Sequence, residues 1–183
     1  MKKYIVWLIL MFKIVILFIL AYSQAASALR INEVMYNPAG DDNNKEFIEV
    51  YFEGGDERNL SDYIISDSSS NDTLALIYYY DSDYALIVED GFNYVGMNAS
   101  VYAAGSTIGN NLDNTQDAVY LYDKNRALID FMLYDGNLAN GDGRSMEYKE
   151  NDDSWLESTE IGGTPGRKNS VELGGGFSNE TDS

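Results

Sequence analysis

Four carboxylates stand out as residues that could do chemistry. Glu33, Glu46 and Glu49 fall on two segments that read as neighbouring strands, and Asp130 falls on a third. Paired carboxylates are the machinery of glycoside hydrolysis, where a separation of about 5–5.5 Å or about 6.5–9.5 Å selects the stereochemical outcome. The same acids have a plainer reading. Strand carboxylates face solvent or accept hydrogen bonds from loop amides or from Arg144, and no substrate-cleft signature accompanies these. Arg144, set among acids, would either clamp an anionic ligand or form a bidentate bridge to Glu49 or Asp130 that closes the fold, and the bridge is the better reading. Glu33, Glu49, Asp130 and Arg144 are therefore expected to make structural polar contacts, and no residue is assigned a catalytic role.

Oxygen-rich loops are the next candidates. Asp41 to Asn44, Asp113 and Asn114 with Asp117, and Asp135 to Asp142 could supply ligands to calcium. That ion takes six to eight oxygens at about 2.3–2.6 Å. None of the three follows the EF-hand pattern, and solvated turns explain them equally well. Asp113, Asn114 and Asp117 are kept as a candidate calcium site, and no other cofactor is expected. Asn59, Asn71, Asn98 and Asn179 each open an Asn-x-Ser/Thr sequon, a short pattern that makes them glycosylation candidates. Tyr78, Tyr79 and Tyr80 form an aromatic run that either ends a strand or lies exposed as a contact surface.

What is missing narrows the chemistry further. The 183 residues contain no His and no Cys. That excludes disulfides, thiolate zinc sites, a cysteine nucleophile, a Ser-His-Asp triad and an imidazole base. Twelve Lys+Arg against thirty Asp+Glu give a net charge of −18. Such a chain repels nucleic-acid phosphates unless its few cations cluster; Arg126, Arg144, Lys149, Arg167 and Lys168 are the ones near the C-terminal end.

Residues 1–28 read as a secretory signal. Lys2 and Lys3 precede an apolar stretch broken by Lys13, and Ala26, Ser27 and Ala28 form a small-residue cleavage site. The alternative is an uncleaved membrane anchor, in which Lys13 would cost about 2.5–3.5 kcal/mol. Both readings place the remainder outside the cell, secreted or anchored. A tail from Glu172, with three glycines and then polar residues, reads as disordered.

Between these ends, short apolar and aromatic runs alternate with Gly, Asn, Asp and Ser. Strands are expected at 29–36, 46–52, 63–66, 73–79, 84–88, 118–122, 127–134 and 145–148. The clearest hairpin joins 118–122 to 127–131 through Asp123, Lys124, Asn125 and Arg126. In the second strand Ile48, Val50 and Phe52 form the better core face, with Phe47, Glu49 and Tyr51 opposite. This spacing predicts an all-β chain, a two-layer antiparallel sandwich over 29–171.

Several segments resemble the lamin tail domain family in order. Ile31-Asn-Glu-Val-Met-Tyr-Asn-Pro38 resembles its opening strand, and Glu46-Phe-Ile-Glu-Val-Tyr51 its second. Asn59-Leu-Ser-Asp-Tyr-Ile-Ile-Ser-Asp67 is similar to its Leu-x-Gly-aromatic segment. Asp117-Ala-Val-Tyr-Leu-Tyr-Asp123 with Ile129 and Asp130 resembles the late hairpin. Gly143-Arg-Ser-Met-Glu147, Trp155, Thr164-Pro-Gly166 and Asn169 resemble the closing signature. The departures are Asp62 where Gly is usual, Phe47 where Trp is common, and a missing Pro-Gly before the middle strand. The resemblance implies an immunoglobulin-like β-sandwich of the prokaryotic, secreted or surface type. Such domains accompany nucleases or other hydrolases, or stand alone. The function expected is a non-catalytic binding, adhesion or structural module for a protein, glycan or cell-envelope component. Tyr78, Tyr79 and Tyr80 would be its contacts. The alternative is a small carboxylate- or metal-dependent hydrolase, or an accessory domain to a nuclease. Nucleic acid is not an expected partner, and membrane only through an uncleaved N-terminus.

Overall fold

A computed structural model describes residues 29–54 and 58–173. The signal or anchor segment, the tail beyond 173 and the sequon at Asn179 lie outside the described residues. Among the described residues eleven strands form two sheets. The larger runs in the order β11-β10-β1-β2-β6-β7-β5 and the smaller β4-β3-β8-β9. In chain order the strands are β1 (Leu29–Met35), β2 (Phe47–Phe52), β3 (Ile64–Ser66), β4 (Asn71–Thr73), β5 (Ala75–Tyr78) and β6 (Tyr84–Glu89). They continue with β7 (Ser100–Gly105), β8 (Asp117–Tyr122), β9 (Leu128–Tyr134), β10 (Met146–Lys149) and β11 (Ser154–Glu157). This is the immunoglobulin-like β-sandwich expected, antiparallel in every pairing but one, since β6 and β7 run parallel.

The interior follows from strand alternation. Ile48, Val50 and Phe52 point between the sheets, where they meet Ile65, Leu121, Val119 and Met132. Each such side chain contributes about 1.5–3 kcal/mol by leaving water. Tyr36 and Tyr134 stack there at 4.2 Å between ring centroids. The outer face of the larger sheet is covered too. Met35, Phe47, Leu86, Val88 and Val101 form a second apolar cluster under Phe92, Tyr94 and Met97 from the β6–β7 connection.

One irregularity in β1 decides the site. Ile31 and Val34 both face the inner core, whereas Glu33, opposite Glu49, joins the outer face with Met35, opposite Phe47. Strict alternation would put Ile31 and Glu33 on the same side. A register shift between Ile31 and Glu33 flips the strand at Asn32.

The expected strand over 73–79 divides in two. Buried Leu74 is the break; its amide bonds to the Tyr63 carbonyl at 2.8 Å, and β4 stays with β3 while β5 crosses to β7. Two strands were not anticipated, β7 in a stretch of small residues and β11 as the partner of β10. The last described residues, Ser170–Leu173, form a helical turn whose Glu172 accepts the Glu150 amide at 2.6 Å. This corrects the expected disorder for Glu172 and Leu173. Asp62, where the family usually has Gly, holds a φ of 69°, the left-handed conformation that glycine serves best.

Candidate functional site

The most concentrated chemistry lies on the outer face of the larger sheet. In register, Glu33 on β1 stands opposite Glu147 on β10 and opposite Glu49 on β2. Three carboxyls therefore sit side by side across adjacent strands, at Cβ separations of about 4.5–5.5 Å. All three are buried. Residues 158–171 run over them as a strap and supply the hydrogen bonds. Thr164 gives its amide to Glu33 at 2.8 Å, and Gly166 gives its amide to Glu49 Oε2 at 2.6 Å. Ser170 and the Val171 amide donate to Glu147 Oε2 at 2.8 and 3.0 Å. Ser145 donates to Glu33, and Asn32 donates to Glu49 at 2.8 Å.

Among the described residues no cationic side chain hydrogen-bonds any of the three, so full ionisation would leave three adjacent negative charges facing uncharged donors. The hydroxyl count makes the same point. Thr164 Oγ1 lies 2.8 Å from Glu147 Oε1 and 3.1 Å from Glu33 Oε2, yet it carries one proton. One of these contacts must use a proton from a carboxylic acid. Burial, followed by the Glu147 charge, pushes Glu33 up to about 7 and makes it the holder of that proton. Burial, then the Glu33 charge, raises Glu49 well above the usual carboxylate range.

Asn169 completes the closure. Its Nδ2 reaches the Asn32 carbonyl at 3.0 Å and the Tyr148 carbonyl at 2.8 Å, bridging β1 and β10, while its Oδ1 accepts from Asn32. The strap thus holds the sheet by polar contacts to three carboxyls that it also seals from solvent. Sequence reasoning placed Glu33 and Glu49 among the structural polar contacts and missed Glu147, Asn32, Ser145 and Ser170. The signal for Glu147, Thr164, Gly166 and Asn169 was present in the closing signature.

The other sequence candidates scatter. Glu46 is buried at the opposite flank of β2, close to Glu89, Asp42 and Asp117. Asp130 lies at the edge of the smaller sheet and accepts the Ile31 amide at 2.8 Å, tying one layer to the other. It lines a surface pocket of about 300 Å³ with Arg30, Tyr148 and Trp155, without Glu33, Glu46 or Glu49.

Arg144 corrects the expected bridge. It touches neither Glu49 nor Asp130. Its Nη1 donates to the Ser158 carbonyl at 2.8 Å, and its Nε lies 3.4 Å from Asp142 and 3.7 Å from Glu157. The reason is position: Arg144 precedes β10 at the flank, whereas Glu49 is closed beneath the strap. Arg144→Ala is expected to lower the unfolding free energy by about 1 kcal/mol, the value of one carbonyl bond plus partly exposed ion pairs. Urea denaturation checks this; a loss above about 3 kcal/mol would show a buried bridge after all.

In the acidic loops the carboxylates cap turns. Asp113 Oδ1 accepts the Thr115 amide at 2.7 Å and the Thr115 hydroxyl at 2.6 Å, and Asp117 accepts the Asp113 and Ala118 amides. Asn114 instead donates to Asp42 at 3.3 Å. Among the described residues no three acidic side chains are grouped to hold a metal ion. Asn59, Asn71 and Asn98 are exposed.

The tyrosine run lies on the free edge of the larger sheet. Every residue of β5 is exposed, Leu76 and Ile77 included. Tyr79 is 65% exposed, Tyr78 approaches Tyr94 at 5.6 Å, and both main-chain polar groups of Tyr80 bond the Ser100 hydroxyl. No helix among the described residues is long and apolar enough to cross a membrane.

A family model described as Lamin Tail Domain matches residues 22–136. No curated protein and no solved structure matches the chain.

Proposed function

This chain belongs to the lamin tail domain family, and from that premise we propose that it is an exported, non-catalytic binding module for a protein, glycan or cell-envelope component. The observation that carries the reading is β5. An edge strand presents unpaired main-chain groups, and natural sheets guard such strands with charge, proline or a cover. Here Leu76, Ile77, Tyr78, Tyr79 and Tyr80 follow one another without a charged residue, and all are exposed. On a protein of net charge −18 this is a conspicuous apolar aromatic strip, and tyrosines combine large contact area with a polar tip.

The hydrolase alternative is less well supported. Its best carboxylate pair, Glu33 and Glu49, is sealed under the strap, and catalysis needs a cavity that substrate can enter. Nucleic-acid binding gains little support either, because three of the five cations named for it, Arg144, Lys149 and Arg167, are each paired with an acid, leaving Arg126 and Lys168.

Co-sedimentation of the protein with isolated cell envelopes tests the proposal. A Tyr78→Ser, Tyr79→Ser double variant should lose binding by about tenfold or more, as expected for two aromatic contacts, with its melting temperature nearly unchanged. Equal sedimentation of wild type and variant would remove the strip from the argument.

A further inference from the structure

Glu46 is an anomaly of another kind. It is 1% exposed, and neither carboxyl oxygen has a hydrogen-bond partner. Buried polar groups are almost always paired, and an orphan points to a bound water or ion. The neighbourhood sharpens the choice. Glu89, Asp42 and Asp117 act on Glu46 with like charge, and the Leu112 amide, near enough to favour its ionised form, falls short of hydrogen-bond geometry. The nearby lysine, Lys45, directs its ammonium to the Ala39 and Asp41 carbonyls instead.

Two loops rich in Asp and Asn close over this end of the sandwich and are tied together. Asn114 donates to Asp42, the Asn44 amide donates to Glu89 at 2.6 Å, and the Tyr134 hydroxyl donates to the Asp113 carbonyl at 2.8 Å. We propose that this acidic end binds a calcium ion, with Glu46 as the buried anchoring ligand and oxygens of residues 41–44 and 110–117 completing the shell. Because no three acidic side chains are grouped as a ready chelate, carbonyl and amide oxygens supply much of that shell. Such a mixture suits calcium, which accepts many oxygens in flexible geometry. It does not suit magnesium, which needs a tight octahedron and keeps its waters, or zinc, which prefers nitrogen and sulfur. The site differs from the Asp113, Asn114 and Asp117 set read from sequence in its anchor, the buried Glu46, and in drawing on the 41–44 loop; Asp113 Oδ1 is occupied in its own turn.

The test is thermal unfolding of the full chain in CaCl2, in MgCl2 and in KCl at matched ionic strength, for wild type and Glu46→Gln. Calcium at a hundredfold excess over its dissociation constant should raise the wild-type midpoint by about 5–10 °C. Glu46→Gln, isosteric and uncharged, should abolish the rise. Terbium luminescence sensitised by Tyr36 and Tyr134 gives a second readout, which the same variant should extinguish. A calcium midpoint equal to that in KCl overturns the proposal. So does a full calcium shift in Glu46→Gln, which would place the ion elsewhere on the acidic surface. An equal shift with magnesium overturns the assignment to calcium.

Discussion

Gly163→Ala should lower the unfolding free energy by about 3–5 kcal/mol and the melting temperature by about 10 °C. Gly163 sits in the strap with a φ of 70°, where an L side chain costs about 1–2 kcal/mol. The larger part comes from contact. A Cβ at this position would run into the Glu33 carboxyl and the Ser145 hydroxyl, which are themselves held in the sealed carboxylate row. To relieve the overlap the strap must lift. It would then surrender the Thr164 and Gly166 amide bonds to Glu33 and Glu49. Each buried carboxyl left without its donor costs about 1–3 kcal/mol or more. The neighbouring residue provides the control. Gly162 has a φ of 87°, but an added Cβ there meets nothing within 4 Å. Gly162→Ala should therefore cost the backbone part alone, about 1–2 kcal/mol. Circular dichroism melts of the two variants decide the matter. If both fall by the same amount, the tight closure of the strap over Glu33 is wrong.

The contrast between these two glycines shows what could and could not be read from the chain. The sandwich was legible because alternation in 46–52 and 118–122 is local, and because turns such as Asp123 to Arg126 carry their own chemistry. The family resemblance was legible for the same reason. The family model matches residues 22–136, and the closing signature lies beyond that stretch. The carboxylate row was not legible, because it depends on an event that alternation hides. The shift at Asn32 turns Glu33 to the face of Glu49, and Glu147 arrives from a strand more than a hundred residues away. Arg144 was assigned the wrong partners because it stands among acids in the sequence, whereas the carboxylate row needs no cation. Here hydroxyls, amides and a retained proton serve instead. β7 was missed because Ala103, Ala104 and Gly105 carry little strand signal; its pairing with β6 and β5 holds it in place. Glu46, which looked like part of a catalytic pair, became informative only when its two oxygens proved to have no partner.

The retained proton leads to the second large effect, a loss of stability toward alkaline pH. Glu33 is raised in the folded state from 4.5 to about 7, first by burial. The folded chain therefore keeps a proton that the unfolded chain has released. The stability tied to it is complete below about pH 4.5, declines as pH rises, and is lost above about pH 7. One pH unit corresponds to about 1.4 kcal/mol, so Glu33 alone accounts for about 3 kcal/mol. Glu46, raised from 4.5 to about 8 by burial and then by Glu89, adds its own decline between about pH 4.5 and 8 when no cation is bound, and Glu49, raised by burial and then by Glu33, acts in the same direction. Glu147 flanks Glu33 with like charge. Arg167, the cation that acts on Glu33 and Glu147, is half exposed and engaged with Glu160. Below pH 4 the sign reverses, because Asp41, Asp113, Asp123 and Glu160 are held below their usual range by hydrogen bonds and lose that support as they protonate. The stability maximum should therefore fall near pH 4.5, well below neutrality. Urea unfolding in EDTA at pH 4.5, 6 and 8 measures the slope. In Glu33→Gln the amide cannot release a proton and can still donate to the Thr164 hydroxyl. That variant should lose the Glu33 share of the slope between pH 4.5 and 7, keep the share that belongs to Glu46 and Glu49, and match or exceed wild type at pH 8. A wild type that gains stability from pH 4.5 to 8 would mean that the row is ionised and paired with a cation. A Gln variant that keeps the full slope would move the retained proton away from Glu33.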